Sequence, residues 1–250
     1  MLRNIKLTIE YDGTSFNGWQ IQPCNKRTVQ GEIEKAIAKI FKKQIRLIGS
    51  GRTDSGVHAL EQVANFKVST AMSCQEIQKA LNANIAKDVV ILNVEEVPSN
   101  FHAQYSIKSK TYRYTILHRD VRCAVQRKFC LFYPYKLNLL SMRKEAKGLI
   151  GRYNFKSFQA TDPAKRGKVM DTVRTVKRLN IRKKGNYIYI DIEANGFLYK
   201  MVRNIVGTLL DIGNSKLPKG SIKTILAQKS RLSAGATAPA QGLTLLKAVY

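Results

Sequence analysis

Apolar and polar residues alternate from the first turn of the chain. Ile5, Leu7, Ile9 and Tyr11 fall on one side, which predicts a half-buried strand ended by the Asp12-Gly13 turn. From Thr28 the period lengthens: Val29, Ile33, Ile37, Ile40 and Phe41 share one helical face, with Thr28 as N-cap. Strands are predicted over 45–48 and 63–68, a helix over 73–83, and a strand over 89–94 before Pro98 and Asn100 break the pattern. The second half runs similarly. It predicts a strand over 111–117, a helix over 140–149, strands over 173–181 and 187–192, and an apolar helix over 197–212 capped by Asn195. A short helix over 221–228 and a last strand over 243–249 follow. Strands and helices mixed in this order predict an α+β fold. It has two halves of split-βαβ (RRM/ferredoxin-like) type sharing a mixed, largely antiparallel sheet. The boundary is placed at 98–110, giving halves 1–106 and 107–250.

Charge sharpens the division. The formal net charge is +26 over 250 residues, with thirteen Lys and Arg against ten Asp and Glu in residues 1–106 and thirty against seven in 107–250. The stretch Ala164–Lys184 alone carries nine basic residues against Asp171. So lopsided an excess points to a polyanionic partner, nucleic acid first. No apolar run is long enough for a membrane span, no basic amphipathic helix or lipidation signal favours a membrane surface, and no signal-peptide layout opens the chain. Cys24, Cys74, Cys123 and Cys130 form no C-x-x-C pair, and His58, His102 and His118 have no ligand spacing. Reduced cytosolic thiols and no metal site are expected.

The chemistry concentrates in GSGRTDSGVHA, Gly49 to Ala59. It fits no dinucleotide loop, because Asp54 stands where the third glycine belongs, and no Walker loop, which ends in G-K-[ST]. Gly-x-Ser-x-Gly fails at Thr53. What remains is one carboxylate beside Arg52 on a glycine-flanked turn. Such an acid can act at a sugar carbon, and a reaction that detaches a base and reattaches it needs no second acid to activate water. Equally, Asp54 can cap the turn through a backbone amide. The spacing leaves both readings open.

GRTDSGVHA closely resembles the catalytic loop of the tRNA pseudouridine synthase A family. YDGTSFNGWQ (Tyr11–Gln20), TVQGEIEKA (Thr28–Ala36), FHA (Phe101–Ala103), KTYRY (Lys110–Tyr114), NFKSF (Asn154–Phe158), FLYKMVRNIVG (Phe197–Gly207) and QGLTLLKAVY (Gln241–Tyr250) resemble it too, in the family's order and over essentially the whole chain. The resemblance implies an enzyme that isomerises uridine to pseudouridine at positions 38–40 of the tRNA anticodon stem-loop. It implies base flipping into a central cleft, a homodimer, a cytoplasmic setting and no cofactor. Asp54 matches the family's essential aspartate, acting at C1′ as nucleophile or at the 2′ proton in a glycal route. Tyr112 matches the tyrosine that stacks on uracil, Arg203 an arginine that pairs with the aspartate, and Leu245 a leucine that packs on the base. Arg52 is expected at the RNA backbone near the flipped nucleotide. Lys108, Lys110, Arg113 and His58 are weaker RNA-binding candidates, His58 also serving to orient the loop. Phe16 and Trp19 are assigned to packing. One departure stands out: Gln104 replaces the arginine usual after F-H-A. Two rival functions follow from that and from the charge: the same chemistry on another RNA, and a catalytically idle RNA-binding module.

Overall fold

The computed structural model describes residues 2–23, 26–161 and 171–250. Among the described residues the chain is α+β, with ten strands and five α-helices in two compact units, Met1–Lys108 with Thr244–Tyr250, and Ser109–Leu243. The first unit contains β1 (Leu2–Tyr11), α1 (Val29–Phe41), β2 (Ile48–Gly49), β3 (His58–Ser69), α2 (Cys74–Asn84) and β4 (Val89–Val97). The second contains β5 (Ser109–Leu117), β6 (Leu131–Phe132), α3 (Leu139–Lys147), β7 (Gly151–Asn154), β8 (Val173–Lys184), β9 (Tyr187–Ala194), α4 (Met201–Gly213) and α5 (Ser221–Gln228). The last strand, β10 (Leu243–Val249), returns Thr244–Tyr250 to the first unit.

In the first unit the strands run β4-β1-β3-β2, with α1 and α2 as crossovers, which is the split-βαβ order. The alternation in β1 buries Ile5, Leu7, Ile9 and Tyr11 in the unit's core. Thr28 Oγ1 accepts the Gly31 amide at 3.3 Å and opens α1, and Ser73 with Glu76 forms a capping box at α2. The 45–48 strand shrinks to Ile48–Gly49. Leu47 donates its amide to Glu34 Oε1 at 2.8 Å, and its carbonyl accepts Gln30 Nε2 at 3.2 Å, so α1 side chains take the bonds a longer strand would have made. β3 instead begins five residues earlier than expected, at His58, and β10 pairs with it in parallel, Thr244 opposite His58 and Leu245 opposite Ala59.

The second unit's strands run β5-β9-β8-β7, all antiparallel, with β6 parallel to β5. Ile188, Ile190 and Ile192 point into its core beside Tyr114 and Ile116. The apolar helix begins at Met201, not Phe197. Asn195 does not cap it: its Oδ1 accepts the Thr175 amide at 2.9 Å, tying β9 to β8, while Lys200 turns left-handed (φ 58°) at the helix start. Residues 164–170 of the basic stretch lie outside the described residues, as does Cys24. The described remainder of that stretch, on β8, exposes Lys177, Arg178, Arg182, Lys183 and Lys184.

Candidate active site

The Gly49–Ala59 segment leaves β2, turns, and enters β3, and most of its backbone is fixed by the segment after β1. Asp54 opens a four-residue turn closed by Val57 N–H to the Asp54 carbonyl at 3.2 Å. Gly56, third in that turn, has φ 76°, the sign a type II turn demands there. Thr53 is gripped twice. Its hydroxyl shares a 2.7 Å hydrogen bond with the Tyr11 hydroxyl, and its carbonyl accepts the Trp19 amide at 3.1 Å. Ser55 Oγ donates to the Phe16 carbonyl at 3.0 Å. Upstream, Gln62 Nε2 donates to the Gly51 carbonyl at 3.0 Å while its Oε1 accepts Ser50 Oγ at 2.5 Å.

Two glycines make this approach possible. Gly18 (φ 88°) lies so close that a Cβ would stand 2.6 Å from the Thr53 carbonyl oxygen, and a Cβ on Gly13 would overlap the Val57 carbonyl. Gly49 is pressed on the Trp19 ring in the same way, 2.5 Å from where its Cβ would be. Phe16 and Trp19 are both buried, as packing residues are. Asp54 is half-buried, and Arg52, two residues before it, is exposed. A single carboxylate is therefore carried on a loop whose main chain cannot drift, with an exposed cation beside it.

Leu245 is fully buried and reaches the loop through its pairing with Ala59. His58 is buried as well. Its Nδ1 accepts the Gly13 amide at 3.1 Å and lies 3.2 Å from Asp12 Oδ1, which places it in the loop's support rather than on the surface. Lys108 is exposed, its amide bonded to the Val249 carbonyl at 2.8 Å.

In the second unit Tyr112 lies on β5, buried to 7 % exposure, edge-on to Phe197 at 5.1 Å and 87°. Tyr114, two residues on, is core: no surface is exposed and its hydroxyl donates to the Pro239 carbonyl at 2.8 Å. Lys110 shares the strand, and burial pulls its ammonium down to about 8. Arg113 points to the opposite face. It makes a forked pair with Asp191 at 2.7 and 2.9 Å and stacks over Tyr189.

Arg203, on the first turn of α4, donates Nε to the Ala238 carbonyl at 2.7 Å, and Ala238 returns its amide to the Arg203 carbonyl at 3.1 Å. The 231–238 segment is itself held to the helix. Asn204 Oδ1 accepts Arg231 Nη2 at 3.2 Å and Thr237 Oγ1 at 2.6 Å, and Thr208 Oγ1 accepts the Gly235 amide at 2.9 Å. Asn204 and Thr208 are thus positioning residues for Arg203 that the helical pattern alone did not reveal. Their signal was polar residues on the buried side of an otherwise apolar helix.

Cys123 and Cys130, unpaired by spacing, approach to 3.7 Å as thiols, with Cys130 pushed up to about 12 by burial and by Cys123. Among the described residues no group of three His, Cys, Asp or Glu side chains could hold a metal ion. No helix among them is long and apolar enough to cross a membrane.

The family model described as tRNA pseudouridine synthase matches residues 7–106 and 146–250. The chain belongs to that family. It is 45 % identical over 249 residues to the tRNA pseudouridine synthase A of Thermoanaerobacter sp. (strain X514), covering all of both chains. It is equally similar to the tRNA pseudouridine synthase A 2 of Clostridium perfringens, again over the full length of both. It is 41 % identical to the enzyme named tRNA pseudouridine synthase A from Geobacillus kaustophilus, covering 95 % of that protein. Residues 107–145, which the family model passes over, include the Tyr112 strand; the full-length relatives span it.

Proposed function

We propose that the protein isomerises uridine to pseudouridine in the anticodon stem-loop of tRNA, at positions 38–40, with Asp54 acting on the sugar of a flipped nucleotide. The observation that carries this reading is the bracing of Asp54. Its neighbours Thr53 and Ser55 are both bonded to the Tyr11–Trp19 segment, so the carboxylate meets a substrate without first having to be ordered. In the reaction the N1–C1′ bond breaks, uracil turns, C5 bonds to C1′, and the C5 proton passes to N1. Atoms balance without water, which is why a single acid suffices. Asp54 either adds to C1′ or removes the 2′ proton, each of which weakens the bond to N1.

Tyr112 is assigned to stacking on the uracil, Leu245 to packing on the base, and Arg203 to keeping the carboxylate ionised. Arg52, exposed beside the acid, and Lys108 and Lys110 are assigned to the RNA backbone. Extruding a stacked nucleotide costs roughly a few kcal/mol. Phosphate contacts from the cations of 107–250 offset it. We further propose that the protein works as a cytoplasmic homodimer, as the family resemblance implies.

Gln104 favours a second reading, the same chemistry on a different RNA, because a family arginine is missing there. Sequencing pseudouridines in tRNA from cells lacking the protein separates the two. Loss at 38–40 supports the anticodon assignment. Unchanged modification there, with loss at another RNA site, supports the alternative.

A further inference from the structure

In the first unit a groove of about 580 Å³ lies between the Lys43–Ile48 segment after α1, the Asn65–Lys67 stretch of β3 and the Ser99–His102 turn. Its lining includes three exposed cations, Lys43, Arg46 and Lys67, and no acidic residue. Charge in residues 1–106 is nearly balanced, and some cations elsewhere in it are ion-paired: Arg3 with Glu96 at 2.9 Å, Lys6 with Glu95 at 2.8 Å, Arg27 with Asp88 at 2.6 Å. None of the three groove cations is ion-paired among the described residues. Like charges gathered without partners repel one another, and a polyanion between them removes the repulsion and releases counterions.

The groove is built, not incidental. Asn65 donates Nδ2 to Asn4 Oδ1 at 2.9 Å and accepts the Ala103 amide at 2.9 Å, and Asn4 Nδ2 donates to the Pro98 and Phe101 carbonyls at 2.9 and 3.0 Å. These bonds pin the turn to the sheet. Beside it, His102 accepts the Gln104 and Tyr105 amides on Nδ1, at 3.2 and 3.3 Å, and stacks on the Tyr105 ring at 4.2 Å and 24°. Tyr105 is 78 % exposed. An exposed, pre-oriented aromatic next to a row of cations suits a nucleic acid strand, with phosphates in the groove and a base on the ring. An acidic protein segment would use the cations and leave the ring without a role.

We propose that this groove is a second RNA-backbone site, separate from the catalytic loop. The proposal rests on the RNA-modifying function above. Asn65 lies six residues along β3 from Ala59 at the loop's end, or roughly 20 Å at 3.3–3.4 Å per residue. That distance spans several base pairs of an RNA stem. The groove would therefore hold the substrate several base pairs from the target uridine.

The test uses the full chain with Lys43, Arg46 and Lys67 all changed to alanine. Affinity for a full-length tRNA transcript and for a hairpin too short to reach the groove is measured by fluorescence anisotropy across a NaCl series. On tRNA the slope of log K against log [NaCl] becomes shallower by about 2–3, close to one per lost phosphate contact, and KM rises with kcat kept. On the short hairpin variant and wild type agree. In a separate variant, Tyr105→Ala weakens tRNA binding without changing the slope. An unchanged slope on tRNA overturns the proposal and leaves the groove to an acidic protein partner. An equal loss on both RNAs also overturns it, since the effect would then be one of overall charge. Wild-type pseudouridine formation on the same tRNA is assayed alongside. Its absence counts against the proposed activity, whereas the slopes decide the groove.

Discussion

Tyr11 and Thr53 share a hydrogen bond of 2.7 Å between buried hydroxyls, one residue before Asp54. Tyr11 ends β1 and Thr53 belongs to the loop, so the bond ties the carboxylate's backbone to the central strand of its unit. Burial holds the Tyr11 phenol well above its ordinary range, so it stays protonated and the pair remains a neutral hydrogen bond. Tyr11→Phe leaves the Thr53 hydroxyl without this partner in a buried place, at about 1–2 kcal/mol. Thermal denaturation is expected to show a drop of a few degrees. The rate of pseudouridine formation is expected to fall while tRNA affinity holds.

Gly18 offers a steeper version of the same test. Alanine there meets both an unfavourable φ of 88° and the Thr53 carbonyl at 2.6 Å. Gly185, at φ 55° with nothing within 4 Å of its Cβ position, meets only the backbone penalty. Gly185→Ala is expected to cost about 1–2 kcal/mol. Gly18→Ala is expected to cost about 3 kcal/mol or more. A displacement of the acid by about one ångström is expected to lower kcat by roughly 100-fold. Urea unfolding and single-turnover kinetics on the two variants separate the strain from the displacement.

Lys110 sets a pH dependence. Its folded pKa, about 8, is below the ordinary lysine value because burial penalises the charge. Between those two values the unfolded chain holds a proton that the folded one has released, so this group makes stability rise with pH across that window. Below about 8 both states are protonated and the burial cost is present in full. Lys110→Met is therefore expected to be more stable than wild type at neutral pH, and to lose this rise above about pH 8. Denaturant midpoints measured against pH check both signs.

Local patterns in the chain gave reliable elements. The alternation of Ile5, Leu7, Ile9 and Tyr11 is β1, the Thr28 cap opens α1, the 73–83 pattern is α2, and 221–228 is α5, because each depends on residues a few positions apart. Where distant residues compete, the pattern misled. Residues 45–47 alternate like a strand, yet Glu34 and Gln30 capture the Leu47 backbone. Asn195 has the chemistry of a cap, yet β8 takes its side chain. The acid loop could be singled out from composition, since no phosphate, hydrolase or metal pattern fits it. Its brace could not, because Tyr11 and Trp19 carry no mark of what they will touch. Nor did spacing bring Leu245 to Ala59, a parallel pairing between segments at opposite ends of the chain.

Asp54→Asn tests the central claim most directly. Asparagine keeps the size and much of the hydrogen bonding of the side chain but can neither bond covalently to C1′ as a carboxylate does nor accept the 2′ proton. Pseudouridine formation on a tRNA transcript, followed by release of tritium from C5-labelled uridine, is expected to vanish while tRNA affinity and melting temperature stay at wild-type values. Tritium release by the Asp54→Asn protein at the wild-type rate would contradict the account and remove Asp54 from the chemistry.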